Sequence, residues 1–415
     1  MSTVPSATPA SSSSSRPISP FDSDEPRVSL FAPEFAADPH AYYRAMREQG
    51  RSMIPVELAP GVPATLVVDY RTAVRILNDP EHFPADPRTW QKDVPAGCPV
   101  LPMMEWRPMA TRSAGAEAAR YRQATTESVG EVDLYALHTT VEEIAVSLIN
   151  SFCADGHADL IGQYTFPLIF GVLNVLFGCP PEVGEKMAAG MASIVEGVDA
   201  DHGNMMISEA MLELVTLKRA EPGNDITSAL LRHPARLDDL EMVHQLASQY
   251  GAGIEFQQNF IVNTLLFILT DDSLGGGVLG GSLPTREALD DVLFNDPPLA
   301  NYLLTYPRQP ILIDDAWLPA HQPIVVGIAA CNNDPAVGGG DRTGNRSHLA
   351  WGVGARTCPA QSMAYLIAQD AIDQLLDALP EITLAQPPTW RPGPFHRSLT
   401  SLSVEFPASA PLHLS

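Results

Sequence analysis

Trp351-Gly352-Val353-Gly354-Ala355-Arg356-Thr357-Cys358-Pro359-Ala360 is followed by Met363, Leu366, Ile367, Ile372, Leu375 and Leu376 at helical spacing, ending near Leu379 before Pro380. The cysteine therefore lies just ahead of a helix N-terminus, behind a loop with two glycines. Pro359 suits a first helical position, where its missing N–H would be unsatisfied anyway. Gly352 and Gly354 permit backbone angles that turn amides toward the sulfur. Amides and a helix N-terminus favour negative charge, so the pattern predicts a thiolate at Cys358. A lone cysteine is otherwise a small buried hydrophobe. As a thiolate without a partner cysteine, it suits haem-iron ligation or nucleophilic catalysis.

Trp-Gly-x-Gly-x-Arg-x-Cys before a long helix resembles the haem-binding signature of the cytochrome P450 superfamily. Trp351 replaces the usual Phe, Ala360 stands at a position that is usually Gly, and His348-Leu349-Ala350 fits the bacterial form. The resemblance covers about residues 21–407. It implies a mainly α fold with small β-sheets, the haem lying between a long distal helix and the proximal helix after the cysteine loop. It also implies haem b (iron protoporphyrin IX) as cofactor, with Cys358 as the metal ligand. Trp351, Gly352, Gly354, Arg356, Ala360, His348 and Arg122 would complete the cofactor-binding set.

Moving outward, Asp239 to Thr270 reads as one helix containing Ala252-Gly253-Ile254-Glu255-Phe256, similar to the family's distal Ala-Gly-x-(Asp/Glu)-Thr. Ala252 and Gly253 are small enough for the backbone to approach a flat ligand. Glu255 matches the acid and is expected to feed a water chain. Phe256 replaces the threonine whose hydroxyl helps deliver protons during oxygen activation in the family. These four are the candidate catalytic positions.

Other departures accumulate. Ala114–Arg122 matches a propionate-binding segment at Arg122, with Ala118 at its histidine, and Leu304 stands where many bacterial members carry an arginine. Asp291 and Phe294 occupy the family's Glu-x-x-Arg positions, so that ion pair is absent, and only Arg342 or Arg346 stands in for the meander arginine. Removing one partner of a buried pair is costly, whereas removing the whole set is close to neutral, so the loss reads as a concerted redesign. Together the departures resemble a small actinobacterial subgroup lacking the pair.

The rest of the chain is read more coarsely. Residues 1–20, rich in Ser and Pro, are expected to be disordered, and 21–415 to form a single domain. A short helix at 39–47, a hairpin at 56–68 and a helix at 70–77 are predicted. Residues 86–113 and 271–286 are expected to be irregular. Strands at 310–313 and 323–326 should pair, with a final strand pair between 395 and 406.

Composition narrows the function. Asp and Glu number 49 against 25 Lys and Arg, a net charge of −24 that argues against nucleic acid or an anionic membrane as partner. No apolar run approaches the roughly 20 residues of a membrane span. Five scattered cysteines without CxxC spacing suggest a reducing compartment, and a soluble cytoplasmic protein is expected. The resemblance implies a monooxygenase that oxidises a small, largely apolar molecule with O2 and electrons from a ferredoxin and ferredoxin reductase. Peroxide-driven or coupling chemistry, a non-catalytic haem-binding sensor or scaffold, and a cysteine hydrolase are the alternatives. The hydrolase is poorly supported, since only His348 is close in sequence to serve as base.

Overall fold

The computed structural model describes residues 19–20, 26–95, 97–196, 200–314, 316–338 and 344–412. The expected tail therefore lies almost wholly outside the described residues. Six helices frame the site: α1 (Gly115–Gly130), α2 (Leu134–Asn150), α3 (Phe166–Phe177), α4 (Asp239–Thr270), α5 (Thr285–Asn295) and α6 (Gln361–Ala378).

The long helix α4 has the predicted bounds. Its first turn is closed by a reciprocal cap: the Asp238 carboxylate accepts from the Glu241 amide at 2.9 Å, and Glu241 accepts from the Asp238 amide at 3.0 Å. Met242, Leu246, Tyr250, Ile254, Ile261, Leu265 and Ile268 form its buried stripe, packed into the main core with residues from α2, α3, α5 and α6. Gly251 and Ala252 are exposed on the other side. Gln257, buried, donates to the Ala364 carbonyl at 2.9 Å and so ties α4 to the cysteine helix α6.

The largest sheet has strands β1 (Val28–Ser29), β2 (Met53–Ala59), β3 (Val62–Val67), β4 (Asn301–Thr305) and β5 (Ile324–Gly327), in the order β1-β2-β3-β5-β4. β2 and β3 form the predicted hairpin, and helices at Pro39–Glu48 and Tyr70–Leu77 are as expected. The fold is thus mainly α with small sheets.

Several local expectations are corrected. Ile311–Ile313 pairs with Ala316–Leu318, three residues on, because a tight turn closes that hairpin; Ile324–Gly327 instead joins the large sheet between β3 and β4. Ser403–Glu405 pairs with Thr383–Leu384 and with distant His157–Asp159, a register invisible in local sequence. The glycine-rich 271–286 connection holds a helix at Leu274–Leu279, nucleated by the Asp271 carboxylate accepting from the Leu274 amide at 2.8 Å. Residues 86–113 contain helical turns at Trp90–Asp93, Leu101–Met104 and Ala110–Arg112. No helix among the described residues is long and apolar enough to cross a membrane.

Candidate functional site

The cysteine loop is held by its own backbone. Cys358 N–H donates to the Trp351 carbonyl at 2.7 Å, and Gly352 N–H to Leu349 at 2.8 Å. Gly352 (φ 69°) and Gly354 (φ 60°) are in the left-handed region, and a Cβ on Gly352 would stand 2.4 Å from the Arg356 carbonyl oxygen. The glycines thus shape the turn, but Gly352 does not offer its amide to the sulfur; the amide that reaches the thiol is that of Ala360. α6 begins at Gln361, so Pro359 lies in the turn ahead of it. Burial pushes the Cys358 thiol upward, opposed by the Ala360 amide and the nearby Arg122 cation. The Ala360 amide and the Arg122 cation favour the sulfur anion against this burial, and a metal cation at the sulfur would add to them.

Two arginines flank this loop. Arg356 donates from Nη1 to the Leu304 carbonyl at 2.8 Å and from Nη2 to the Phe83 carbonyl at 3.0 Å, and enclosure pushes its guanidinium down to about 10. Arg122, on α1, donates to the Thr357 carbonyl, and burial lowers it as well. Among the described residues neither has a carboxylate partner. Enclosing an uncompensated cation is costly. The arrangement therefore fits an acidic group delivered by a ligand, as the two carboxylates of haem are. Leu304 offers a carbonyl rather than a charge, and its side chain is buried.

The region behind the loop reveals what replaces the missing ion pair. Asp290 accepts from Tyr365 Oη at 2.6 Å, Arg286 Nε at 3.2 Å and Arg346 Nε at 3.0 Å, while Arg286 lies 3.4 Å over the Tyr365 ring. This knot joins α5, α6 and the segment leading into the cysteine loop. Asp291, at the family's acid position, accepts instead from Asn295 Nδ2 at 2.8 Å, so the pair is made by its neighbour Asp290. The stand-in Arg346 does carry the pair, and Arg342 lies outside the described residues. Phe294, at the lost arginine position, packs edge-on to His348 at 5.2 Å. His348 packs against that ring; among the described residues its buried Nδ1 has no hydrogen-bond partner, and burial lowers its pKa to about 4. Trp351 meets Phe260 of α4 edge-on at 5.7 Å and Tyr365 at 5.3 Å, linking the loop to both helices.

On α4, Ala252 is exposed as a close-approach surface requires. Gly253 is not part of that surface: a Cβ there would stand 2.9 Å from the Leu173 side chain of α3, so its smallness serves helix packing. Glu255 and Phe256 line a cavity of about 420 Å³. Glu255 Oε1 accepts from Arg391 Nη2 at 2.6 Å and faces His396 Nδ1 at 3.9 Å, so the expected water-chain acid is held in an ion pair. Arg391, His396, Asp290, Tyr365 and Gln257 escaped the sequence reading. The only signal was charge placed among the prolines and glycine of 391–396 and within an otherwise helical run at 286–290.

No protein-family model matches the chain, but individual proteins do. It is 28% identical over 372 residues to 2-hydroxy-5-methyl-1-naphthoate 7-hydroxylase of Streptomyces carzinostaticus, covering 84% of this chain and 90% of that one. Cytochrome P450 monooxygenase PikC of Streptomyces venezuelae is 26% identical over 404 residues, 90% of this chain and 92% of its own. Vitamin D(3) 25-hydroxylase of Pseudonocardia autotrophica is 26% identical over 370 residues, 86% of this chain and 90% of its own. Among solved structures, CYP154C4 from Streptomyces sp. W2061 superposes with a TM-score of 0.83 at 22% identity, over 94% of this chain and 99% of that one. The chain belongs to the cytochrome P450 superfamily. This P450 is an oxidoreductase of the haem-thiolate type, with haem b as its cofactor. The residues present fit that group: a half-buried cysteine on a glycine-shaped loop, and two arginines, Arg356 enclosed and Arg122 half-buried, whose partners among the described residues are carbonyls.

Proposed function

We propose that this P450 is a haem-thiolate monooxygenase that oxidises a small, largely apolar molecule of secondary metabolism with O2 and electrons from a ferredoxin and its reductase, in the cytoplasm. Cys358 would hold the iron, its sulfur steadied by the Ala360 amide. Arg356 and Arg122 would provide the cationic partners for the haem carboxylates, and Trp351 backs the loop against Phe260 and Tyr365. When bound, the haem would supply oxygen-activating redox chemistry, promoted by electron density from the sulfur. The chain's part is to hold that sulfur, to exclude water with the apolar wall at Phe256, and to keep the Glu255 carboxylate at the edge of the cavity. The observation that carries the reading is the pair of arginines, Arg356 enclosed and Arg122 half-buried, both without a carboxylate partner among the described residues, beside the half-buried Cys358. The relatives' names, a naphthoate hydroxylase and a vitamin D(3) hydroxylase, support an apolar small-molecule substrate.

The reduced protein with carbon monoxide should show the strongly red-shifted Soret band of a thiolate ligand. Reconstitution with a ferredoxin, its reductase and hydrophobic probes should then give products one oxygen atom heavier. A short-wavelength band would overturn the ligand assignment. One observation favours a second reading: Phe256 offers no hydroxyl and Glu255 is tied to Arg391, which suits a peroxide-driven enzyme. Product with hydrogen peroxide but none with ferredoxin would decide for it.

A further inference from the structure

The cavity beside α4 has apolar walls, built by Phe31, Leu58, Met103, Phe256, Leu299 and Phe395. Glu255, Arg391 and His396 are the only lining side chains that carry a charge or titrate, and they form one cluster. Arg391 donates from Nη2 to Glu255 Oε1 and from Nε to His396 Nε2 at 3.3 Å, which leaves the imidazole proton on Nδ1, toward Glu255. The imidazole occupies the space over Gly393, where a Cβ would stand 2.2 Å from His396 Cε1, and the His396 backbone is bridged to Leu299. The cluster is thus anchored on both strands of its loop.

Among the described residues, Arg391 Nη1 and Glu255 Oε2 have no protein partner; the two side chains are 45% and 38% exposed and stand at the solvated rim of the cavity, and with a neutral imidazole the cluster has no net charge. A carboxylate entering the cavity meets Glu255 beside Arg391; a cation meets Arg391 beside Glu255. The part of either ion that passes below this rim must also shed water against apolar walls with no net counter-charge to receive it. A neutral group that both donates and accepts satisfies Nη1 and Oε2 together. We infer that the cavity selects an uncharged substrate: an apolar body carrying one hydroxyl or amide group held between Arg391 Nη1 and Glu255 Oε2. The inference rests on the monooxygenase reading only in taking this cavity as the substrate site.

The test uses the haem-loaded protein and three probes of one shape: 2-naphthalenemethanol, 2-naphthoate and (2-naphthylmethyl)trimethylammonium. Affinities are read from the Soret shift on titration, without turnover. The alcohol should bind about three- to fivefold more tightly than either ion, since a charge held at a solvated rim is only partly uncompensated. Glu255→Gln should move the preference toward naphthoate and Arg391→Gln toward the ammonium, each by about threefold. Either ion binding as tightly as the alcohol, or preferences unmoved in both variants, overturns the inference. No oxygenated product from any hydrophobic probe in the separate ferredoxin reconstitution would instead defeat the monooxygenase reading, leaving these affinities to judge this one.

Discussion

Around the cysteine loop, departures from the family pattern meet counterparts in space. Along α4 they do not. On the proximal side, Phe294 has lost an arginine's charge but gained His348 as an aromatic partner, and Asp290 gathers Arg286, Arg346 and Tyr365 one residue away from the expected acid. On the distal side, Phe256 leaves no hydroxyl, and Glu255 turns to Arg391 on a C-terminal loop. The difference teaches that the two sides are under different demands. A scaffold can be rebuilt from any groups that close the same hydrogen bonds, whereas a hydroxyl that handles protons has no substitute among carbon atoms. Proximal substitutions should therefore register in cofactor retention and stability, and distal ones in the use of oxygen.

The largest effect is expected for Cys358→Ala, which should abolish the red-shifted carbon monoxide band altogether; an unchanged spectrum would place the axial ligand elsewhere and dissolve the comparison. Next comes Asp290→Asn. It leaves the partly buried Arg286 and the exposed Arg346 facing a neutral amide and should cost about 1–2 kcal/mol in denaturant unfolding, together with a growing short-wavelength band. If only stability falls while the spectrum is intact, the knot is scaffold without influence on the sulfur.

His348 gives a pH signature. Its pKa is lowered from 6.5 to about 4 in the folded protein, so the unfolded chain takes up a proton first as the pH falls. Stability attributable to this residue is complete above about pH 6.5 and declines toward pH 4, by up to about 3 kcal/mol. Thermal unfolding of wild type and His348→Leu across that range should show the steeper loss in wild type; parallel curves would refute the buried neutral imidazole. The smallest expected effect is distal. Phe256→Thr should raise the share of consumed oxygen that reaches product by about two- to fivefold, less than the roughly 10²-fold or more that a full acid–base group contributes. No change would mean that protons already arrive by another route.

Much of this was legible before any coordinates. Apolar spacing, a local signal, places α4 at Asp239–Thr270, and the Asp238/Glu241 cap that the structure reveals accounts for its sharp start. The cysteine loop could be read because its glycines must adopt left-handed angles, and few residues can replace them there. What escaped was long-range. Asp290 could not be told from Asp291 by spacing, since only the approach of α6 decides which carboxylate meets Tyr365. Gly253 was assigned to ligand approach, but Leu173, eighty residues earlier in the chain, claims that space. Arg391 and His396 carry no motif at all and gain meaning only when their loop meets α4.

Arg356 has one more consequence. Its two carbonyl partners, on Phe83 and Leu304, draw together three stretches distant in the chain around a cation that has no carboxylate partner among the described residues. On the reading proposed above, this corner would be the place for the structure to open before the cofactor is loaded, and the cofactor's carboxylates would turn the same charge into a fastening.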